Sequence, residues 1–333
     1  MNVGTPEEPT IPSVREYLKE FLLDPDVIDI PYPLRHLLVR GIILRVRPRK
    51  IAPLYSKIWM DEGSPLRVFT QKMSDELFSE LQEIDCEVGM RYGTPSIGQA
   101  LEKLRGYGVD ELLLAPLFPH YAQATTGSSM KEALRQLKKM SWEPEIFELD
   151  HFEEDSEFIE PLARSIEPHI SDGRHLLFSY HGLPLSHIRR MDKSGSHCQK
   201  VDGCCQKRCE ANSLCYAHQC TMTTLSVVER LNIIDSGWSM SYQSRIGPAK
   251  WLSPSTLSKV EELAKSGVKK LAIVSPSFLA DGLETLEELE EEVGGHFITN
   301  GGEEVSVVKC LNDDSDWIKG LASLVKRSFS SAN

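Results

Sequence analysis

The chain has 333 residues, room for two domains of ordinary size, and its 41% hydrophobic and 26% charged side chains make it globular rather than disordered. Acidic side chains outnumber basic ones 49 to 37, a formal net charge of -12, which argues against the basic face that nucleic-acid binding needs. No apolar run approaches the roughly 18 residues of a membrane span, and Met1-Asn2-Val3-Gly4-Thr5-Pro6 has no basic-then-apolar leader, so a cytoplasmic protein is expected.

In chain order, apolar spacing predicts helices over 13–23, 74–83 and 97–105, a buried strand over 111–117, and a helix over 129–138. A strand over 175–180 follows, then helices over 223–231 and 256–265, a strand over 270–276, and helices over 283–293 and 315–327. Alternating strands and helices predict an α/β fold with parallel sheets. The stretch from Leu101 through Gly108 to Phe118 echoes the stretch from Val260 through Gly267 to Phe278: helix, glycine stop, buried strand, proline-marked loop. Such an echo suggests two similar halves with a boundary near 150–165, although helix–glycine–strand is also common in any α/β protein. In doubly wound folds ligands sit beyond the carboxyl ends of the strands, which directs attention to the loops after Leu117, Tyr180 and Pro276.

Four segments at or near such ends carry chemistry. His181, in Ser179-Tyr180-His181-Gly182-Leu183-Pro184, directly follows a strand, where imidazole serves as a base, a metal ligand or a structural hydrogen-bonding group. In a helix after Phe278, Asp281, Glu284 and Glu288 would share one face, either as a relay for protons or cations or as a solvated acidic face. Tyr242–Leu252 joins Arg245, a Gly247-Pro248 turn and Trp251, a set suited to a flat anionic ligand or to plain packing. Pro119-His120-Tyr121 leads to Thr125-Thr126-Gly127-Ser128-Ser129, an anion cradle or an ordinary helix cap, and Arg91-Tyr92-Gly93 offers another anion contact.

Cysteine stands apart. Of eight, Cys198, Cys204, Cys205, Cys209, Cys215 and Cys220 crowd into one short stretch. In a reducing cytosol that density points to metal or redox chemistry rather than disulfides. No Cys-x2-Cys pair is present, which disfavours a zinc ribbon, whereas four thiolates can hold a [2Fe–2S] cluster; unligated thiols are the third alternative. Residues 33–50 mix Arg35, Arg40, Arg45, Arg47, Arg49 and Lys50 with leucine, isoleucine and valine. They form either a membrane-resting surface or a core-facing helix with a basic outer side.

Together these segments resemble the ferrochelatase family over nearly the whole chain. The resemblance also rests on Asn2-Val3-Gly4-Thr5-Pro6, Tyr55-Ser-Lys-Ile-Trp59 with Gly63-Ser64-Pro65-Leu66, Met90-Arg91-Tyr92-Gly93, Thr125-Thr126-Gly127-Ser128, Gln243-Ser-Arg-Ile-Gly-Pro248 and Asp281-Gly-Leu-Glu-Thr-Leu-Glu-Glu288. It implies two similar Rossmann-like halves, 1–155 and 156–333, with a porphyrin cleft between them, a cysteine-rich insert over 196–220 and a C-terminal helix in the second half. It implies insertion of Fe2+, as substrate, into protoporphyrin IX to form protohaem. Coproporphyrin III is the alternative substrate, and a non-catalytic iron–sulfur or haem-binding sensor the alternative class. His181 and Glu284 are then the catalytic pair that meets iron, with Glu288 and Asp281 on the proton and metal path. Val3, Ser64, Arg91, Tyr92, Tyr121, Trp251 and Phe278 are implied to line the porphyrin site, and residues 33–50 its lip, with peripheral contact to the inner membrane.

Some bacterial members carry a [2Fe–2S] insert at this point. The resemblance favours Cys198, Cys204, Cys205 and Cys215 as its ligands, with Cys220 a weaker choice and Cys209 the first to drop. Where many members have a second histidine this chain has Gly282. The apolar strand expected ahead of Asn2 is missing, which leads to the expectation of a start upstream of Met1. Oligomeric state is not specified.

Overall fold

The structure is a computed structural model that describes residues 1–245, 247 and 249–330, so Ile246 and Pro248 of the Gln243–Pro248 motif and the last three positions of the expected second half lie outside the described residues. The chain forms two compact units. One comprises Met1–Phe118, Ala122–Asp150 and the residues from Ile318 onward; the other comprises Pro119–Tyr121 and His151–Trp317.

The first unit holds helices α1 (Ile11–Leu23), α2 (Tyr32–Leu38), α3 (Leu44–Ile58), α4 (Pro65–Leu81), α5 (Ile97–Tyr107) and α6 (Ser128–Met140). Its strands β1 (Asn2–Gly4) and β2 (Met90–Tyr92) pair in parallel, as do β3 (Glu111–Leu114) and β4 (Glu145–Glu148). Local signals explain the helix ends. Thr10 accepts from the Ser13 N–H to cap α1, and Ser96 with Gln99 forms a reciprocal capping box on α5, which stops at left-handed Gly108. Gly4 sits at φ +106°, and a Cβ there would fall 1.8 Å from the Tyr92 carbonyl oxygen, so only glycine lets β1 lie against β2. The Met1 N–H donates to the Ala115 carbonyl at 2.6 Å and the Leu117 N–H to the Met1 carbonyl at 2.8 Å, which carries the pairing of β1 onto the chain after β3. Ile97, Leu101, Leu112, Leu114, Ala133 and Leu137 close the core between α5, β3 and α6.

The second unit holds α7 (Ser156–Ile170), β5 (His175–His181), α8 (Leu185–Met191), α9 (Tyr216–Arg230), β6 (Trp238–Gln243), α10 (Thr256–Lys265), β7 (Lys270–Val274), α11 (Gly294–Thr299) and β8 (Glu304–Val307). Its four strands run parallel in the order β6-β5-β7-β8. Leu176, Leu177, Phe178, Leu271, Ala272 and Ile273 are fully buried, as expected of parallel strands covered on both faces. The echo is structural: α10, Gly267 and β7 repeat the sequence helix, left-handed glycine, strand of α5, Gly108 and β3. The final helix, α12 (Ser315–Ser330), corrects the expected division. Past Ile318 it belongs to the first unit, because Ala322, Val325 and Phe329 pack with Leu81 and Leu113 there.

Among the described residues, Val39–Ile43, Gln123–Gly127 and Glu284–Val293 are π-helical rather than α-helical. Among the described residues no helix is long and apolar enough to cross a membrane.

Candidate active site and cysteine loop

In the second unit, β5 has its sequence successor β6 on one side and β7 on the other, so the strand order reverses at β5. A crevice outside the carboxyl ends of the strands at such a point is the usual ligand site of open parallel sheets. His181 is the last residue of β5 and is half-buried. Its N–H donates to Ser277 Oγ at 3.1 Å, its carbonyl accepts from the Tyr216 hydroxyl at 2.8 Å, and its ring meets Phe278 edge-on with centroids 6.2 Å apart. Gly182 follows because nothing larger fits. A Cβ there would stand 2.8 Å from the Gln243 carbonyl oxygen and 3.3 Å from the Trp251 ring.

Burial pushes the His181 pKa below its ordinary 6.5 against the opposing pull of the Glu288 charge and a backbone hydrogen bond at Gly182. The imidazole is therefore neutral at pH 7. Glu288 moves the other way: burial raises it, the neighbouring Glu284 charge adds to the rise, and Ser244 resists. Ser244 holds both Glu288 oxygens, through its N–H at 2.8 Å and its hydroxyl at 2.6 Å. Glu284 and Glu288 are half-buried on the π-helical segment that follows β7.

Asp281 lies before that segment rather than on its face, which corrects the expected alignment of the three acids. The Asp281 carboxylate accepts from the Thr285 hydroxyl (2.8 Å) and the Asn312 amide (2.7 Å), so it staples the segment's start to the loop after β8. Trp251 and Tyr121 are half-buried, and the Tyr121 N–H donates to Gln219 Oε1 at 2.6 Å. His120, next to Tyr121, is buried and hydrogen-bonded to Thr223 at 2.9 Å; burial lowers its pKa to about 3, so it stays uncharged.

In the first unit, the residues expected to meet anions form a hydrogen-bonded group of their own. Arg91 pairs with Asp24 and donates from Nε to Ser128 Oγ at 2.7 Å. Asp24 also accepts from the Tyr92 and Ser128 hydroxyls, at 2.9 and 2.7 Å. Burial works to raise the Asp24 carboxyl, but these hydrogen bonds and the Arg91 charge outweigh it and hold it below its ordinary range. Tyr92 and Ser64 are buried, Ser64 against Thr5 at 2.7 Å, whereas Val3 and Arg91 keep some exposed surface.

The cysteine loop of the second unit is organised around Asp192. One of its oxygens accepts the Ser194 and Gly195 N–H groups, and the other accepts those of His197 and Cys198, both at 2.8 Å. Buried Asn212 holds the Cys204 and Lys207 carbonyls, and the His218 ring meets the Cys205 carbonyl at 2.8 Å. Four thiols are linked in pairs. Cys204 and Cys205 are 3.9 Å apart, and Cys205 and Cys198 both hydrogen-bond to Cys215. The Cys205 hydrogen bond is the largest cause that brings the Cys215 thiol down to about 6, against burial and aided by the His218 and Ala217 N–H groups. One thiolate in a nest of thiols is the donor chemistry an iron–sulfur site draws on. Cys209 is exposed beside His197, and Cys220 is buried beside Tyr216 and feels the Cys215 charge. Among the described residues no group of three His, Cys, Asp or Glu side chains stands ready as a metal cage.

The ferrochelatase family profile matches residues 1–329. The chain belongs to the ferrochelatase family. It is 42% identical to a ferrochelatase of Pseudomonas fluorescens (strain Pf0-1) over 330 residues, covering 98% of this chain and 96% of that protein. A ferrochelatase of Bdellovibrio bacteriovorus is 41% identical over 331 residues, 98% of this chain and 97% of that one. The structure of SirB from Bacillus subtilis with Fe3+ matches at TM-score 0.52 and 12% identity, covering 80% of this chain and 92% of SirB, and so shares the chelatase-like α/β fold. The residues that the sequence did not single out are Asp24, Asp192, Tyr216 and Ser277, whereas Ser244 lay within the Gln243–Pro248 motif. Of those four, Asp192 left a signal, as an acid ahead of the turn-forming Ser194-Gly195-Ser196.

Proposed function

We propose that this chain inserts Fe2+ into protoporphyrin IX and releases two protons. His181 is the base at the macrocycle, and Glu284 and Glu288 are the carboxylates that receive iron or the second proton. The carrying observation is the pairing of opposite shifts at one strand-order reversal: an imidazole kept neutral and a carboxyl kept easy to protonate. A neutral imidazole accepts a pyrrole proton, and carboxylates suit a hard divalent ion. Phe278, Trp251 and Tyr121 supply flat apolar walls. Val3, Ser64, Arg91 and Tyr92 of the first unit are further residues we assign to porphyrin binding. The test is anaerobic turnover of Fe2+ with protoporphyrin IX and, in parallel, coproporphyrin III. His181→Ala is expected to lose about a hundredfold or more, and a folded wild-type protein that metallates neither porphyrin sinks the reading.

The cysteine loop reads as the seat of a [2Fe–2S] cluster held by Cys198, Cys204, Cys205 and Cys215. When bound, it supplies iron–sulfur bonds that cross-link the loop. Iron and acid-labile sulfide should survive Cys209→Ser and vanish with Cys205→Ser; the reverse pattern rejects this ligand set. Residues 33–50 read as a surface for an anionic membrane, because Leu37 and Ile42 are 69% and 60% exposed beside exposed Arg40 and Arg45. Flotation with anionic vesicles should weaken with Leu37→Glu, and no flotation of the wild-type protein rejects the reading.

A further inference from the structure

In a parallel ladder, alternate residues aim both backbone groups to the same side. The Gly182 N–H reaches the Gln243 carbonyl at 2.8 Å on the β6 side, so the N–H and carbonyl of His181 point to the β7 side. The β5–β7 ladder ends at Phe178 and Val274, and among the described residues no main-chain partner meets His181 there. Side chains take over: Ser277 Oγ accepts its N–H and the Tyr216 hydroxyl donates to its carbonyl. Tyr216 also hydrogen-bonds Ser277, so the two clamps on His181 are joined. The Tyr216 ring is 5% exposed and packed edge-on against His120, with centroids 5.8 Å apart.

Tyr216 is also the first residue of α9, directly after Cys215, the cap of that helix. The Cys215 sulfur draws hydrogen bonds from Cys205 and Cys198. A single peptide unit therefore separates the centre of the thiol nest from the clamp on His181.

We propose that Tyr216 is a positioning residue through which the Cys198–Cys215 loop sets His181: a closed loop seats the first turn of α9 and its phenol fixes the histidine, and an opened loop releases it. For its catalytic consequence this rests on the chelatase reading of His181; the mechanical coupling does not.

The test labels the protein with [13Cε1]histidine and assigns the His181 resonance by its loss in His181→Gln. Loop opening is imposed by Cys198→Ala and, where that variant fails to fold, by Asp192→Ala. Each should shift the His181 resonance in the wild-type background and leave it unmoved in Tyr216→Phe. In parallel, Tyr216→Phe and the loop variant should each lower kcat about tenfold, with porphyrin KM unchanged and the double variant no worse than either single. A His181 resonance indifferent to the loop variant, or shifts that add in the double variant, overturns the proposal. So does a Tyr216→Phe protein that melts earlier with its His181 signal unmoved, since that is a purely structural role. Wild-type protein without chelatase activity rejects the chelatase reading, while the resonance coupling still decides this one.

Discussion

His181 sits between two opposing influences. Burial disfavours the imidazolium and the Glu288 carboxylate favours it; burial wins. Because the pKa lies below 6.5, the base form persists as pH falls through that value, and the acid limb of kcat/KM should lie on the acid side of it. Glu288→Gln removes the charge that raises His181, so the limb should move to still lower pH, as read from Zn2+ insertion across a pH series; a limb that moves up rejects the pairing. In the first unit, Asp24 neutralises a partly buried guanidinium. Asp24→Ala should cost about 3 kcal/mol in urea unfolding, because it strands Arg91 in a poorly solvated place. Gly282 is the opposite case: a Cβ there meets only the Glu284 carboxylate, at 3.5 Å, so Gly282→Ala should leave the melting temperature nearly unchanged. The positions of His181 at the end of β5 and of Glu284 after β7 were legible because each follows an apolar run. Asp24 and Tyr216 were not, since each owes its role to a partner far away in sequence, such as Tyr216 to His181.

At the scale of elements, apolar spacing found most helices and the three buried strands it named. It could not reveal the widened winding of Glu284–Val293, because an i→i+5 hydrogen-bond pattern leaves no composition of its own. Such a segment has poorer backbone hydrogen bonds than a regular helix, and its amides should exchange with deuterium sooner than those of α9; equal protection would count against that. The cysteine loop was visible by its thiols, but its organiser was not. Asp192→Ala leaves the N–H groups of Ser194, Gly195, His197 and Cys198 without their acceptor, so visible absorption from any bound cluster should fall with the loop's order. Full retention would show that the sulfurs need no such scaffold.

For the whole molecule, strand–helix alternation and the glycine-stopped echo were enough to read a parallel α/β protein in two units. The place of the last helix was not, because an amphipathic face states that it will be buried and not against what. Phe329 meets Phe147 with ring centroids 5.0 Å apart, a contact that only the folded chain discloses.

That placement sets an order in time. A ribosome delivers residues in sequence, and domains fold as units once their parts are available. The unit built from Pro119–Tyr121 and His151–Trp317 has all its strands in hand once β8 is made, whereas the unit that holds β1 lacks α12 until Ser315–Ser330 has followed. The unit whose strands come earlier in the chain thus waits on a helix that follows the other unit. Until then its Leu81 and Leu113 surface lacks the cover of Ala322, Val325 and Phe329.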